Sequence, residues 1–253
     1  MKNYILRMEY IGRNFYGFQK QGDLPTIQGS TEEALTRILR VPISVNGASR
    51  TDRGVNAFNQ YVNFYFDGEI DLVKLKKKLN SLLVQKGIVI KETQEVDMKF
   101  HSRKSAKGKV YTYILSSCRE RDFFLSPYVY FHHSELNKDL LNLAMKGLKG
   151  KHDFSIFANK DRSIPHRNNI CELFEVGFIE KNGLLVFYFL GNRFLYHMVR
   201  RMVYYLIKAG EGAIKKDYLE APFSVSGIPY TRQVLSPEPL FLVNVVYNSL
   251  TKF

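Results

Sequence analysis

The sequence predicts an α+β fold: two ferredoxin-like, RRM-like βαββαβ units joined through a largely antiparallel sheet. One order of strand and helix signals occurs twice along the chain. Two ferredoxin-like units are the simplest account of that repeat. The 253 residues are 45% hydrophobic and 14% aromatic, enough for a packed core.

In the first half, Tyr4 to Tyr10 alternates as a strand. Thr26 to Leu39 places Ile27, Ala34, Leu35, Ile38 and Leu39 at helical spacing. Short strands are expected near Ile43 to Asn46 and at Gln60 to Phe66. Asp71 is the cap of a second helix with Leu72, Leu75, Leu79, Leu82 and Leu83 on one face, and Ile88 to Val96 is the next strand. The second half repeats this order. It has a strand at Val110 to Ser116, a helix over Asn137 to Lys149, and a hairpin of Glu172 to Glu180 with Leu184 to Leu190 turned at Lys181-Asn182-Gly183. A long amphipathic helix over Asn192 to Lys208 and a strand at Leu240 to Tyr247 close it. The basic segment Lys99 to Lys109 marks the boundary, which gives an N-terminal unit over 1–104 and a C-terminal unit over 105–253. The repeat is one of pattern, with no detectable identity between the halves. The RRM stacking motif [KR]-G-[FY]-[GA]-F-V-x-[FY] is absent, which disfavours a generic RRM module.

Lys and Arg number 37 against 24 Asp and Glu, a formal charge of +13. Such a balance points first to nucleic acid as partner. A membrane is disfavoured, because the longest apolar run, Leu184 to Leu190, is far too short to span a bilayer. The N-terminal residues have no apolar signal-peptide core. Cys118 and Cys171 form neither a disulfide framework nor a zinc spacing, and read as small buried apolar residues. A cytoplasmic setting is expected.

The most informative stretch is Gly47 to Phe58, GASRTDRGVNAF. It sets the Asp52 carboxylate in a short turn between Arg50 and Arg53, just before Gly54. Glycine permits a sharp turn that exposes its neighbours. Flanking arginines favour the ionised carboxylate. An exposed, ionised Asp in a basic protein suggests one catalytic carboxylate working on a polyanion; the plainer reading is a solvated turn.

Further segments bear on chemistry. In Tyr10 to Gln21, Gly12 and Gly17 bracket a polar loop that offers Arg13, Gln19 and Lys20 to a phosphate backbone. Phe100 to Tyr113 carries Arg103, Lys104, Lys107 and Lys109 between aromatics, the combination a nucleic-acid groove needs. Tyr111 there is either a base-stacking ring or a strand aromatic of the core, since Tyr111, Tyr113 and Leu115 share a face. In Gly191 to Val203, Arg200 and Arg201 flank an apolar stripe almost symmetrically. Periodicity alone does not choose between them, and a solvated arginine is the plain reading, above all for Arg201. The His152-Asp153 pair in Gly150 to Ala158 lacks companion ligands at metal-binding spacing, so no metal is expected.

These segments, taken along the chain, resemble the tRNA pseudouridine synthases of the TruA type. RTDRGVNAF is similar to that family's R-T-D-A-G-V-H-A, with Arg53 where a small residue is usual and Asn56 where a His is usual. YIGRNFYGFQ from Tyr10 matches Y-D-G-T-x-[FY]-x-G-[WF]-Q, with Phe18 at the aromatic position. FHSRKSA from Phe100, with Tyr111 and Tyr113 after it, resembles F-H-A-R-x-S-A…Y-x-Y, and FLYHMVR from Phe194 resembles F-L-x-H-M-V-R. HDFSIF from His152 and the closing strand from Pro239 are also similar to family segments.

The resemblance implies the pseudouridine synthase fold and an isomerase converting uridine to pseudouridine in the tRNA anticodon stem-loop. It implies Asp52 as the nucleophile, Arg200 as its ion-pair partner and Tyr111 as the ring packed on the target base. Arg50, Arg13, Gln19, Arg53, Arg103, Lys104 and Lys107 are the candidate RNA-binding residues. It further implies tRNA as partner, a homodimer, and no cofactor, because the reaction is redox-neutral and loses no atoms. Arg53 and Asn56 motivate an alternative, an RNA-binding protein on the same scaffold with lost catalysis or a different uridine target. A basic protein binding the ribosome or acidic partners is the third reading.

Overall fold

In the computed structural model, residues 1–116, 124–159, 168–224 and 227–248 are described. Cys118 lies outside them. The chain forms two compact units, Met1–Lys107 with Phe241–Phe253, and Gly108–Leu240. The architecture is α+β with a mostly antiparallel strand arrangement, as expected.

The first unit runs β1 (Lys2–Tyr10), α1 (Ile27–Leu39), β2 (Asn46–Gly47), β3 (Asn56–Phe66), α2 (Leu72–Leu83) and β4 (Ile88–Val96). Thr26 caps α1 by accepting from the Gly29 amide, and Asp71 caps α2 by accepting from the Lys74 amide. β1 is the centre, antiparallel to both β3 and β4. Leu75, Leu79 and Leu83 recur at helical spacing and are buried on one face of α2. They join a core that includes Leu6, Met8, Leu35, Phe64 and Ile90.

Two strands differ from expectation. β2 shrinks to Asn46–Gly47, and β3 begins at Asn56 rather than Gln60. The added residues are recruited by partners distant in sequence. Tyr10 pairs with Ala57 across a bulge, and the closing strand β10 (Leu240–Val246) runs parallel to β3, with Phe241 opposite Asn56 and Leu242 opposite Ala57. The bulk of β10 thus belongs to the first unit.

The second unit contains β5 (Gly108–Ser116), β6 (Tyr130–Phe131), α3 (Lys138–Leu148), β7 (Gly150–Asp153), β8 (Ile170–Lys181), β9 (Leu184–Gly191), α4 (Met198–Gly210) and α5 (Lys216–Glu220). Its strands lie in the order β5-β9-β8-β7, antiparallel throughout, with β6 parallel to β5. The β8–β9 hairpin turns where expected. Asn182 and Gly183 have φ of 51° and 74°, the left-handed pair a two-residue hairpin favours. Asn137 caps α3, which packs on α4. Leu141, Met145, Met202, Leu206 and Phe187 are buried there.

Helix α4 starts at Met198 rather than Asn192. His197 is left-handed at φ 63° and ends the preceding loop. Leu195 is buried from that loop, and Phe194 packs on the Tyr111 ring, so their apolar character mimicked an earlier helical turn. Cys171 is buried. Among the described residues, no helix is long and apolar enough to cross a membrane.

Candidate active site

Asp52 opens a tight turn closed by the Val55 amide donating to the Asp52 carbonyl at 3.2 Å. Gly54, at φ +83°, takes the third position, where a type II turn requires a left-handed residue. Thr51 and Val55 are buried, Asp52 is half-buried, and Arg53 at the corner of the turn is exposed. The chain therefore bends around the carboxylate while keeping its backbone inside.

Buried groups hold the turn from below. Gln60 on β3 donates to the Ser49 carbonyl at 2.7 Å and accepts from the Ser49 amide at 3.1 Å. It also donates to the Tyr10 phenol at 3.3 Å, and the phenol shares a hydrogen bond with Thr51 Oγ1, 2.8 Å away. Burial pushes the Tyr10 phenol up to about 12, so it stays neutral at physiological pH. The loop from Gly12 to Phe18 closes on the other side. The Phe18 amide donates to the Thr51 carbonyl at 3.0 Å. A Cβ on Gly17, which sits at φ +92°, would lie 2.9 Å from the Thr51 carbonyl oxygen, and one on Gly12 would lie 2.1 Å from the Val55 carbonyl oxygen. Both glycines are demanded by close backbone approach.

The two departures from the resembled pattern have visible local roles. Asn56 is buried and accepts from the Gly12 amide at 2.9 Å, so it ties the glycine loop to β3. Arg53 places its guanidinium carbon 4.3 Å from the centroid of the Tyr16 ring. Arg13, Gln19, Arg50 and Arg53 are all exposed on these two abutting loops. The arrangement can present one carboxylate in a fixed position within a cationic surface.

Arg103, Lys104 and Lys107 occupy a separate loop of the same unit and are exposed. Buried amides hold its backbone. Asn63 on β3 accepts from the Ser102 amide at 2.9 Å and donates to Asn3 Oδ1 at 3.0 Å. Asn3 in turn donates to the Asp97 and Phe100 carbonyls at 2.9 and 2.8 Å, and the Tyr247 hydroxyl donates to the Ser102 carbonyl at 2.6 Å. Burial, then the charges of Lys104 and Arg103, push the His101 imidazole below its usual range. Lys109, by contrast, is buried.

In the second unit, Tyr111 on β5 is only 5% exposed, with its ring edge-on to Phe194 at 5.0 Å. Arg200 is partly exposed, and its Nε donates to the Leu235 carbonyl at 2.6 Å. Arg201 is not the solvated arginine that its place beside the stripe suggested. It is 8% exposed and donates to the Ala158 carbonyl at 2.7 Å. The apolar face of α4 is wide enough to take it in. Burial, then the charges of Arg200 and Arg201, push the His197 imidazole down to about 4. His152 stacks on Phe223 at 4.2 Å, and Asp153 accepts from the Ser155 amide at 2.9 Å, so each has a structural task.

Sequence reasoning missed Gln60, the Tyr10–Thr51 contact and the Tyr16–Arg53 stack. Nothing in a strand's alternation marks one glutamine as the anchor of a distant turn.

Comparison with known proteins converges on the same reading. The family model described as tRNA pseudouridine synthase matches residues 7–103 and 144–248. tRNA pseudouridine synthase A of Francisella tularensis subsp. novicida (strain U112) is 34% identical over 249 residues, covering 98% of this chain and 95% of that protein. The protein of the same name from Francisella philomiragia subsp. philomiragia is also 34% identical, with the same coverage. The chain belongs to the tRNA pseudouridine synthase family, as an isomerase of uridine to pseudouridine in tRNA.

Proposed function

We propose that this enzyme modifies uridines of the tRNA anticodon stem-loop, with Asp52 as the nucleophile. The observation that carries this reading is the clamped turn: a half-buried carboxylate on a backbone fixed by Gln60, Tyr10 and two tightly approached glycines, and flanked by exposed arginines. The target base must leave its stack before a carboxylate reaches the ring or the ribose C1′. The carboxylate then assists cleavage of the N1 glycosidic bond, by covalent attack or by stabilising the separated fragments, and the base rotates and rejoins through C5. The C5 proton goes to water. Substrate and product are isomers, so the balance closes without an oxidant, reductant or energy source, and we assign no cofactor.

The family resemblance supports Arg200 as the cation that holds Asp52 ionised and oriented, and Tyr111 as the ring packed on the flipped base. Arg50, Arg13, Gln19, Arg53, Arg103, Lys104 and Lys107 bind the RNA. The same resemblance supports a homodimer, while the residue pattern supports a cytoplasmic setting and a boundary between N- and C-terminal units near residue 104.

Tritium release from C5-labelled uridine in an anticodon stem-loop RNA tests the reading. Multiple turnover is expected from the wild-type chain. Tyr111→Phe keeps the ring and should retain base stacking, while Tyr111→Ala should lose it, at a cost of about 1–3 kcal/mol. Stoichiometric binding without release would favour the catalytically silent alternative.

A further inference from the structure

Arg53 stands at the corner of the Asp52 turn, where the resembled pattern has a small residue, and Tyr16 stands at a position that pattern leaves open. The resembled pattern does not itself call for their contact. Arg53 is exposed and Tyr16 is 37% exposed. A surface arginine on a turn corner is ordinarily free to sweep through solvent. Here the Tyr16 ring lies under the guanidinium, with Cζ 4.3 Å from the ring centroid. The backbone that carries the ring is held. The Tyr16 amide donates to the Pro25 carbonyl at 2.9 Å, and Gln21 donates to the Tyr16 carbonyl at 2.9 Å. The next residue, Gly17, presses against the turn, so that a Cβ there would come within 3.3 Å of the Arg53 amide nitrogen and 3.4 Å of the Asp52 carbonyl carbon.

The electrostatics select the ligand class. Among the described residues no carboxylate pairs with Arg53, which is exposed and has the Tyr16 ring against its guanidinium. Arg13 and Arg50 are exposed on the same two loops, so the local field is positive. A planar donor fork with its rotation restricted suits a tetrahedral anion better than a mobile ammonium does. Stacking on tyrosine removes much of the freedom that an arginine would lose on binding.

We infer that Tyr16 and Arg53 form a preset grip for one phosphodiester of the RNA strand flanking the target uridine. The grip rests on the proposed function for its location beside Asp52. Arg53 is the contacting group and Tyr16 a positioning residue that acts through it.

The test measures binding of bulk tRNA across a salt series, with every variant carried on the Asp52→Asn protein so that catalysis plays no part. Arg53→Ala should weaken affinity about 3- to 10-fold and lower the slope of log K against log salt by about 0.7–0.9, the share of one phosphate. Arg53→Lys should restore most of the slope, because the charge returns. Tyr16→Ala should weaken binding as Arg53→Ala does, the double variant should be no worse than either single one, and Tyr16→Phe should match the parent, because the ring remains. On the Asp52-intact enzyme, the same losses should fall on KM, leaving kcat within about twofold. An unchanged salt slope in Arg53→Ala overturns the grip. So does a normal Tyr16→Ala beside a weakened Arg53→Ala, which would make Arg53 an unaided contact. Failure of the wild-type enzyme to release tritium would instead defeat the proposed function, while the binding arm would still decide the grip.

Discussion

Two loops of the first unit are built alike and, on the proposed function, serve different ends. The Asp52 turn and the loop carrying Arg103, Lys104 and Lys107 are each tied to β3 by a buried side-chain amide, Gln60 in one case and Asn63 in the other. These residues project from opposite faces of the strand, since their separation in sequence is odd. Both loops expose cations. The difference lies in what else holds them. The basic loop is anchored at its backbone, and its long cationic side chains extend into water. The Asp52 turn is also gripped from the side by the Gly12–Phe18 loop, through the Phe18 amide and backbone approaches that admit no Cβ. Attraction of a polyanion tolerates loose geometry because Coulomb forces act over a Debye length, about 8 Å at physiological ionic strength. Bond making does not tolerate it. On the proposed function, the extra clamping sits where a reacting atom has to be placed.

The sharpest way to break this contrast is Gly17→Ala. The position is left-handed, and the added methyl would meet the Thr51 carbonyl oxygen at 2.9 Å. The turn has to shift, and displacement of a reacting group by about an ångström costs on the order of 100-fold in rate. Single-turnover kinetics should show that loss with the salt slope of tRNA binding unchanged. Loss of binding slope with kcat retained would reverse the assignment of the two loops.

The paired substitutions Gln60→Ala and Asn63→Ala come next. Each strands buried backbone groups, of Ser49 in the first and Ser102 in the second. Denaturant unfolding should show each protein destabilised by about 1–3 kcal/mol. Only Gln60→Ala should also depress kcat, because only it loosens the turn. Equal kcat for the two variants would show that the turn needs no such anchor.

The smallest effect is expected from Lys104→Ala with Lys107→Ala. If each meets one phosphate, the salt slope should flatten by about 1.4–1.8 together, with kcat and stability near wild type. An unchanged slope would remove this loop from the RNA interface.

Much of this was legible in the residues. Helical spacing placed α1 and, with Asp71 as cap, α2, and the strand read at Ile88 to Val96 is β4 as found. The turn at Asp52 was readable because Gly54 marks it. What escaped was set by contacts distant in sequence. β3 gains its first residues from Tyr10 and from β10, which pairs with it from far along the chain. Helix α4 read too long because Phe194 and Leu195 are apolar for loop packing rather than for a helical face. Arg201 read as solvated because charge alone suggests water, yet the Ala158 carbonyl gives it a partner inside. Tyr16 carried no signal at all until its ring was seen against Arg53.

The central claim is that the Asp52 carboxylate performs the chemistry while its surroundings supply position and attraction. Asp52→Asn tests it most directly. The change is nearly isosteric, so the turn, the stability and the tRNA affinity should persist, with affinity equal to wild type or slightly tighter because one negative charge near phosphate is gone. Tritium release from C5-labelled uridine should be undetectable. Adding Arg200→Ala should make matters hardly worse, as expected of groups that act as a unit. Sustained tritium release by the Asp52→Asn protein, freed of contaminating enzyme, would contradict the account.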